Sequence, residues 1–340
     1  MMTIGDKMND LLIKAGYSVD EAKSYCLLIA EEYNVDLDAE GDADSSTGAD
    51  LSANHDLSSG SSSNLSLNTD SNLNSALQIE ACFDACRRVA AGEPLPYITG
   101  HQAFYREDYF VDSNVLIPRP DTEILVEAAL KFCGACEFPM GDINKVSKGA
   151  VSKGDFLHFA DFCTGTGCVG ISVTNQLTLS GYDVDAYLTD VSSEALRVCN
   201  RNVSSQLSSI SKEAASVKVV NCDLRDHARM LRLIKTESLD FIVSNPPYIT
   251  GDEMKLLDKS VADYEPELAL YGGEDGLEFY YLLAEYGKTF LKKGAAIICE
   301  HGYDQGDAVR AIFINEGYSN VITLKDYGGN DRVCFAIREM

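Results

Sequence analysis

Lysine and arginine are scarce in this chain: 28 against 53 aspartates and glutamates, a formal net charge of −25. Non-specific nucleic-acid binding needs cations on phosphates, so this balance argues against it, while a basic protein partner is compatible with it. Long apolar runs are missing as well. None approaches the ~18–20 residues of a membrane-spanning helix, and no basic stretch followed by an apolar core opens the sequence. Neither a membrane span nor a signal peptide is expected. The 11 cysteines are odd in number and scattered, as in a reducing cytosol, so a cytoplasmic location is expected. Cys133-Gly-Ala-Cys136 has no second pair and no nearby histidine, which favours a helix end over zinc; no metal is expected.

What is present suffices for a sizeable core, since 45% of the 340 residues are hydrophobic. Residues 4–34 carry apolar side chains at helical spacing, from Met8, Leu11 and Leu12 to Cys26 and Ile29. Ser18 followed by Glu21 predicts a capping box between two helices. From Asp36 to Ser75 the composition turns to Ser, Asn, Asp and Gly with no lysine or arginine, and the stretch is expected to be a disordered insert. Helical spacing resumes near Leu77, where Cys82 and Cys86 share a face as core residues. A small helical domain over 1–92 follows, then a linking segment over 93–154. In that segment 104–110 and 114–117 read as short strands, and Asp121 or Thr122 as the N-cap of a helix from Glu123 to about Phe132.

From 155 to 340 strands and helices alternate. Strands are expected at 155–161, 184–189, 216–221, 239–244 and 294–300, and helices at 168–178, 192–206, 225–236, 276–292 and 304–317. Two closing strands, 319–325 and 332–338, flank the hairpin signal Tyr327-Gly328-Gly329-Asn330. Alternation of this kind implies an α/β, doubly wound, mostly parallel sheet, and the final hairpin adds an antiparallel edge.

Chemistry is concentrated at the strand ends. Leu239–Ser244 is a β-branched apolar run that stops at Asn245-Pro246-Pro247-Tyr248. A stiff corner there can offer the Asn245 side-chain oxygen and the Pro246 carbonyl as two acceptors in one plane, with the Tyr248 ring against a flat guest. That suits a carboxamide or exocyclic amine, although Asn-Pro turns are also common on surfaces. Upstream, the first strand of the sheet runs into Asp161-Phe162-Cys163-Thr164-Gly165-Thr166-Gly167-Cys168, a tight loop opening onto a helix N-terminus. Gly170 completes a G-x-G-x-x-G, so a dinucleotide site is one possibility. Asp190 ends the second strand, where a carboxylate binds ribose hydroxyls; Asp223 and Leu224 follow the third, placed for an adenine edge and face. Helix capping is the plain alternative for both aspartates. A hydride-transfer site has no evident use for a double amide acceptor, whereas an amino-group methyltransferase does.

Taken in this order, the set resembles the S-adenosylmethionine-dependent methyltransferases that act on amide or exocyclic nitrogen. Within them it is most similar to the release factor glutamine methyltransferases (the PrmC/HemK family). The resemblance covers residue 93 to the end. It rests on Pro94-x-x-Tyr97-Ile98-x-Gly100 with Phe104, on Val115-Leu116-Ile117-Pro118-Arg119-Pro120-Asp121-Thr122-Glu123, and on Tyr264-Glu265-Pro266-x-x-Ala269-Leu270. Glu300-His301-Gly302-Tyr303-x-x-Gly306 and Asp326-Tyr327-Gly328-Gly329-Asn330-Asp331-Arg332 extend it. The N-terminal region departs from the family pattern, its helical domain split by the insert.

The resemblance implies a class I methyltransferase fold, S-adenosyl-L-methionine as cofactor, and methylation of the glutamine in the Gly-Gly-Gln loop of peptide chain release factors 1 and 2. Cofactor contacts are then expected from Asp161, Cys163, Thr164, Gly165, Thr166, Gly167, Asp190, Asp223, Leu224 and Asn245. Substrate contacts are expected from Asn245 to Tyr248, with Phe104 as a second wall. Arg119 and Glu123 are candidates for bracing the peptide entrance or for a structural ion pair, and His301 is expected to be a satisfied core residue. Ribosomal protein glutamine methylation and adenine-N6 methylation of nucleic acid are the alternatives.

Overall fold

The computed structural model describes residues 2–39, 66–135, 144–149, 151, 154, 156–211 and 214–339, with 66–74 known by backbone alone. Two compact units result, Met1–Thr99 and Gly100–Met340.

In the first unit, α1 (Ile4–Lys14) and α2 (Val19–Tyr33) start with the same reciprocal device. Thr3 accepts the Asp6 N–H while the Asp6 carboxylate takes the Thr3 N–H, and Ser18 and Glu21 repeat the exchange. Ile4, Met8, Leu12, Ala22, Cys26 and Ile29 pack on Cys82, Cys86 and Val89 of α3 (Ser66–Ala90). The expected insert differs at both ends, while 40–65 lie outside the described residues. Asp36–Ala39 turns back so that the Leu37 and Ala39 carbonyls accept the orphan N–H groups of Gly5 and Ile4. Residues 66–75 belong to α3, because lengthening an existing helix gains a bond for each residue fixed. The segment after Glu93 also differs: it contains α4 (Leu95–Thr99), whose Leu95 and Ile98 are buried and whose prolines fall where a helix tolerates them.

The second unit opens with a hairpin, β1 (His101–Phe104) and β2 (Glu107–Phe110), rather than one strand over 104–110. Tyr105 reverses the chain at φ 57°, a left-handed backbone that nothing in the local sequence announces. Residues 114–117 form no strand; they run as an irregular wall into Pro118. A 3-10 turn, Pro120–Thr122, leads into α5 (Glu123–Cys133). Thr122 makes no capping bond, because its backbone (φ −70°, ψ −17°) is already helical and lacks the extended conformation of an N-cap. Cys133 closes α5 in the core; Cys136 lies outside the described residues.

Beyond it come β3 (Phe156–Phe162), α6 (Cys168–Leu179), β4 (Asp183–Asp190), α7 (Ser193–Gln206), β5 (Ala215–Asn221) and α8 (His227–Leu233). They are followed by β6 (Leu239–Ser244), α9 (Lys259–Ala262), α10 (Glu278–Phe290), β7 (Leu291–Glu300), α11 (Gly306–Asn315), β8 (Tyr318–Lys325) and β9 (Asp331–Arg338). The sheet order is β5-β4-β3-β6-β7-β9-β8, parallel from β5 to β7, with β9 antiparallel between β7 and β8. One apolar core joins α5, α6 and α7 to one face of the sheet, and another joins α8, α10 and α11 to the opposite face. This is the class I methyltransferase architecture. Chain order reverses between β3 and β6, which puts a crevice at their carboxyl ends.

Candidate active site

A cleft of about 1080 Å³, measured out to its open mouth, occupies that crevice. Its walls include Cys163, Thr164, Gly165 and Thr166 after β3, Asp190 at the end of β4, Asp223 and Leu224 after β5, and Asn245 and Pro247 after β6. Residues from four strand ends, separated by up to 84 positions in sequence, thus share one cavity.

The glycines of the loop have different duties. A Cβ on Gly165 (φ 52°) would meet nothing within 4 Å, so its backbone stands open to the cleft. On Gly167 (φ 83°) it would come within 2.7 Å of Cys199 Sγ, and on Gly170 within 2.9 Å of Asp161 Oδ2. Those two glycines serve close packing. Asp161 lies beneath the loop and does not line the cleft. Its Oδ2 accepts the Thr164 hydroxyl at 2.6 Å and the Gly170 N–H at 3.0 Å, fixing loop to helix. Burial pushes this carboxyl up to about 7, against the pull of both bonds. Asn202, which the sequence did not single out, sends Nδ2 to the carbonyls of Thr166 and Phe110 (3.0 Å each) and accepts the Phe110 N–H at 2.9 Å. A lone asparagine on the apolar side of α7 was the available signal.

Asp190 has each oxygen held by one backbone donor, Gly165 N–H on Oδ2 and Ser192 N–H on Oδ1, both at 2.9 Å. A carboxylate has about four acceptor positions, so room for two ribose hydroxyls is left. Asp223 Oδ1 takes the Arg225 N–H at 2.8 Å. Beside it the Arg225 guanidinium sits over the Phe279 ring at 4.9 Å and bonds Glu278 at 2.7 Å. Leu224 and Phe279, both buried and both lining the cleft, make an apolar slot next to the Asp223 carboxylate. An acidic edge beside an apolar slot, a diol-binding carboxylate and an open backbone loop fit an adenosine-containing cofactor.

At the far side, Asn245 donates from Nδ2 to Thr122 Oγ1 at 3.3 Å. Pro247 lines the cleft with it, whereas Pro246, equally buried, does not, and Tyr248 faces elsewhere. The Tyr248 hydroxyl approaches Glu300 Oε1 at 3.5 Å, and its carbonyl accepts from Gln305 at 3.0 Å. Phe104 is corrected outright: it is 2% exposed, set edge-on to Tyr109, and belongs to the core beneath the hairpin. Arg119 and Glu123 do not pair. Glu123 takes the Tyr105 N–H at 2.9 Å and so secures the hairpin turn. Arg119 instead meets Glu265, which also accepts the Ile117 N–H at 3.3 Å, joining the Pro118 wall of the cleft to the Pro266–Ala269 wall. His301 is fully buried but only half satisfied: Nδ1 lies 2.7 Å from the Gly302 carbonyl, and Nε2 has no partner.

The family model described as methyltransferase small domain matches residues 150–268. A release factor glutamine methyltransferase of Clostridium acetobutylicum is 37% identical over 249 residues, covering 72% of this chain and 75% of that protein. Another, of Bacillus anthracis, is 33% identical over 247 residues, covering 72% and 76%. A bifunctional methyltransferase of Rickettsia conorii is 35% identical over 77% of this chain, which spans 48% of that longer protein.

Proposed function

The chain belongs to the release factor glutamine methyltransferase family, and from that premise we propose that it transfers a methyl group from S-adenosylmethionine to the side-chain amide nitrogen of a release factor glutamine. The finer assignment is the glutamine of the Gly-Gly-Gln loop in release factors 1 and 2, with the N-terminal helical unit docking the partner. The observation that carries this reading is that Asn245 lines the same cleft as Asp190 and Asp223. An amide-holding group and a nucleoside-holding pair share one space.

The cofactor, when bound, supplies an electrophilic sulfonium methyl. Everything else is done by the chain. Asp190 accepts ribose hydroxyls, Asp223 the adenine edge, and Leu224 with Phe279 the adenine face. With Nδ2 engaged by Thr122, Asn245 has Oδ1 available to accept one N–H of the glutamine amide. Neither Pro246 nor Pro247 has a backbone N–H to compete with the Asn245 oxygen for the guest. Accepting from the amide raises electron density on its nitrogen and fixes the direction of attack. Orientation of this kind is worth as much as ~7–11 kcal/mol of barrier. No strong base need act first, because an N-alkylated, protonated amide is very acidic and sheds its proton readily.

A methyl-transfer assay offering release factor, ribosomal protein and DNA side by side tests this. Label should reach the release factor glutamine, and Asn245→Ala should lower turnover by about a hundredfold, the scale set by losing one positioned polar partner, with cofactor affinity nearly unchanged. Transfer to DNA or to ribosomal protein alone would overturn the assignment.

A further inference from the structure

Threonine at the threshold of α5 suggests a helix cap, yet the Thr122 hydroxyl caps nothing. It is 3% exposed, lines the cleft, and accepts from Asn245 Nδ2 at 3.3 Å. Glu300, 2% exposed, is a second buried polar group near the corner, at the end of β7. Burial pushes the Glu300 carboxyl up to about 7, and the Thr122 hydroxyl is the foremost group pulling it back, ahead of the Arg332 charge. Tyr248, the last residue of the Asn-Pro-Pro-Tyr corner, also sends its hydroxyl toward Glu300.

Resting on the function proposed above, we propose that Thr122 is a positioning residue that sets which way the Asn245 amide faces. The Thr122 oxygen accepts from the NH2 end of Asn245, and this contact holds the amide in the orientation seen. The Asn245 oxygen is thereby turned to the substrate. Without Thr122 the amide can rotate by half a turn and present NH2 to the glutamine NH2, two donors facing each other.

Thr122→Val keeps the shape and removes the hydroxyl, while Thr122→Ser restores it. On release factor substrate, Thr122→Val should lower kcat by about tenfold, equivalent to one misaligned polar contact at the reacting group, with cofactor Kd by calorimetry within about twofold. Thr122→Ser should recover most of that loss. In an Asn245→Ala background, Thr122→Val should add less than about twofold, since a residue acting through Asn245 has nothing left to orient. Wild-type kcat in Thr122→Val, an equal defect in Thr122→Ser, or full additivity with Asn245→Ala would each overturn the proposal. Failure of the wild-type protein to methylate any glutamine would instead remove the functional reading beneath it.

Discussion

At the scale of single residues, the carboxylates at strand ends were legible because their chemistry and place are coupled. An aspartate that ends a buried strand has few uses other than capping or ligand contact, and Asp190 combines the two by accepting two backbone N–H groups while facing the cleft. Asp190→Asn keeps one acceptor oxygen for the loop and removes the charge. Cofactor affinity should fall by ~1.5–3 kcal/mol, the range of charge-assisted hydrogen bonds, with a smaller change in kcat at saturating cofactor. Isothermal titration showing an unaltered Kd would remove the ribose role. What could not be read were contacts made across long separations. Thr122 meets Asn245 over 123 positions, and Asn202 reaches Phe110 over 92. Phe104 was misplaced because an aromatic near a motif carries no mark of which side of the hairpin it faces.

At the scale of elements, the sheet strands stood out in the sequence. Central parallel strands are buried on both faces, so Leu239–Ser244 and the 295–299 half of Leu291–Glu300 stand out as mainly apolar runs. The β1–β2 hairpin did not, since its strands are four residues each and its reversal uses a left-handed tyrosine. Nor did the seat of the Asn-Pro-Pro-Tyr corner. A bridge between Ile249 and Tyr271 brings the next loop against it, and Gly272 lies so close that a Cβ would stand 2.6 Å from both the Pro247 carbonyl oxygen and Tyr248 Cα. Those are backbone atoms that cannot rotate aside. Gly272→Ala should therefore displace the corner, costing roughly 1–3 kcal/mol as overpacking does and depressing kcat while cofactor binding survives. Undiminished turnover at an unchanged Tm would show that the corner tolerates movement.

For the whole molecule, two buried acids and a large negative charge act in the same direction on stability. Burial pushes Asp161 and Glu300 each up to about 7. Well below the ordinary carboxylate range, both keep their protons folded or unfolded. As pH rises, the unfolded chain releases them in the ordinary carboxylate range while the folded chain holds them until about 7. The unfolded state binds fewer protons throughout that window, so stability should decline from about pH 4 to about 7 and then level off. Self-repulsion of a chain with net charge −25 adds to the decline. Salt separates the two causes, because it screens exposed charges far better than buried ones. Denaturant unfolding across this pH range, at about 50 mM and about 500 mM salt, should show high salt removing only part of the slope. Asp161→Asn, which cannot ionise, should flatten a further part of what remains. A slope abolished by salt alone, or the same slope in Asp161→Asn, would mean that the acid beneath the glycine loop is ionised in the folded protein.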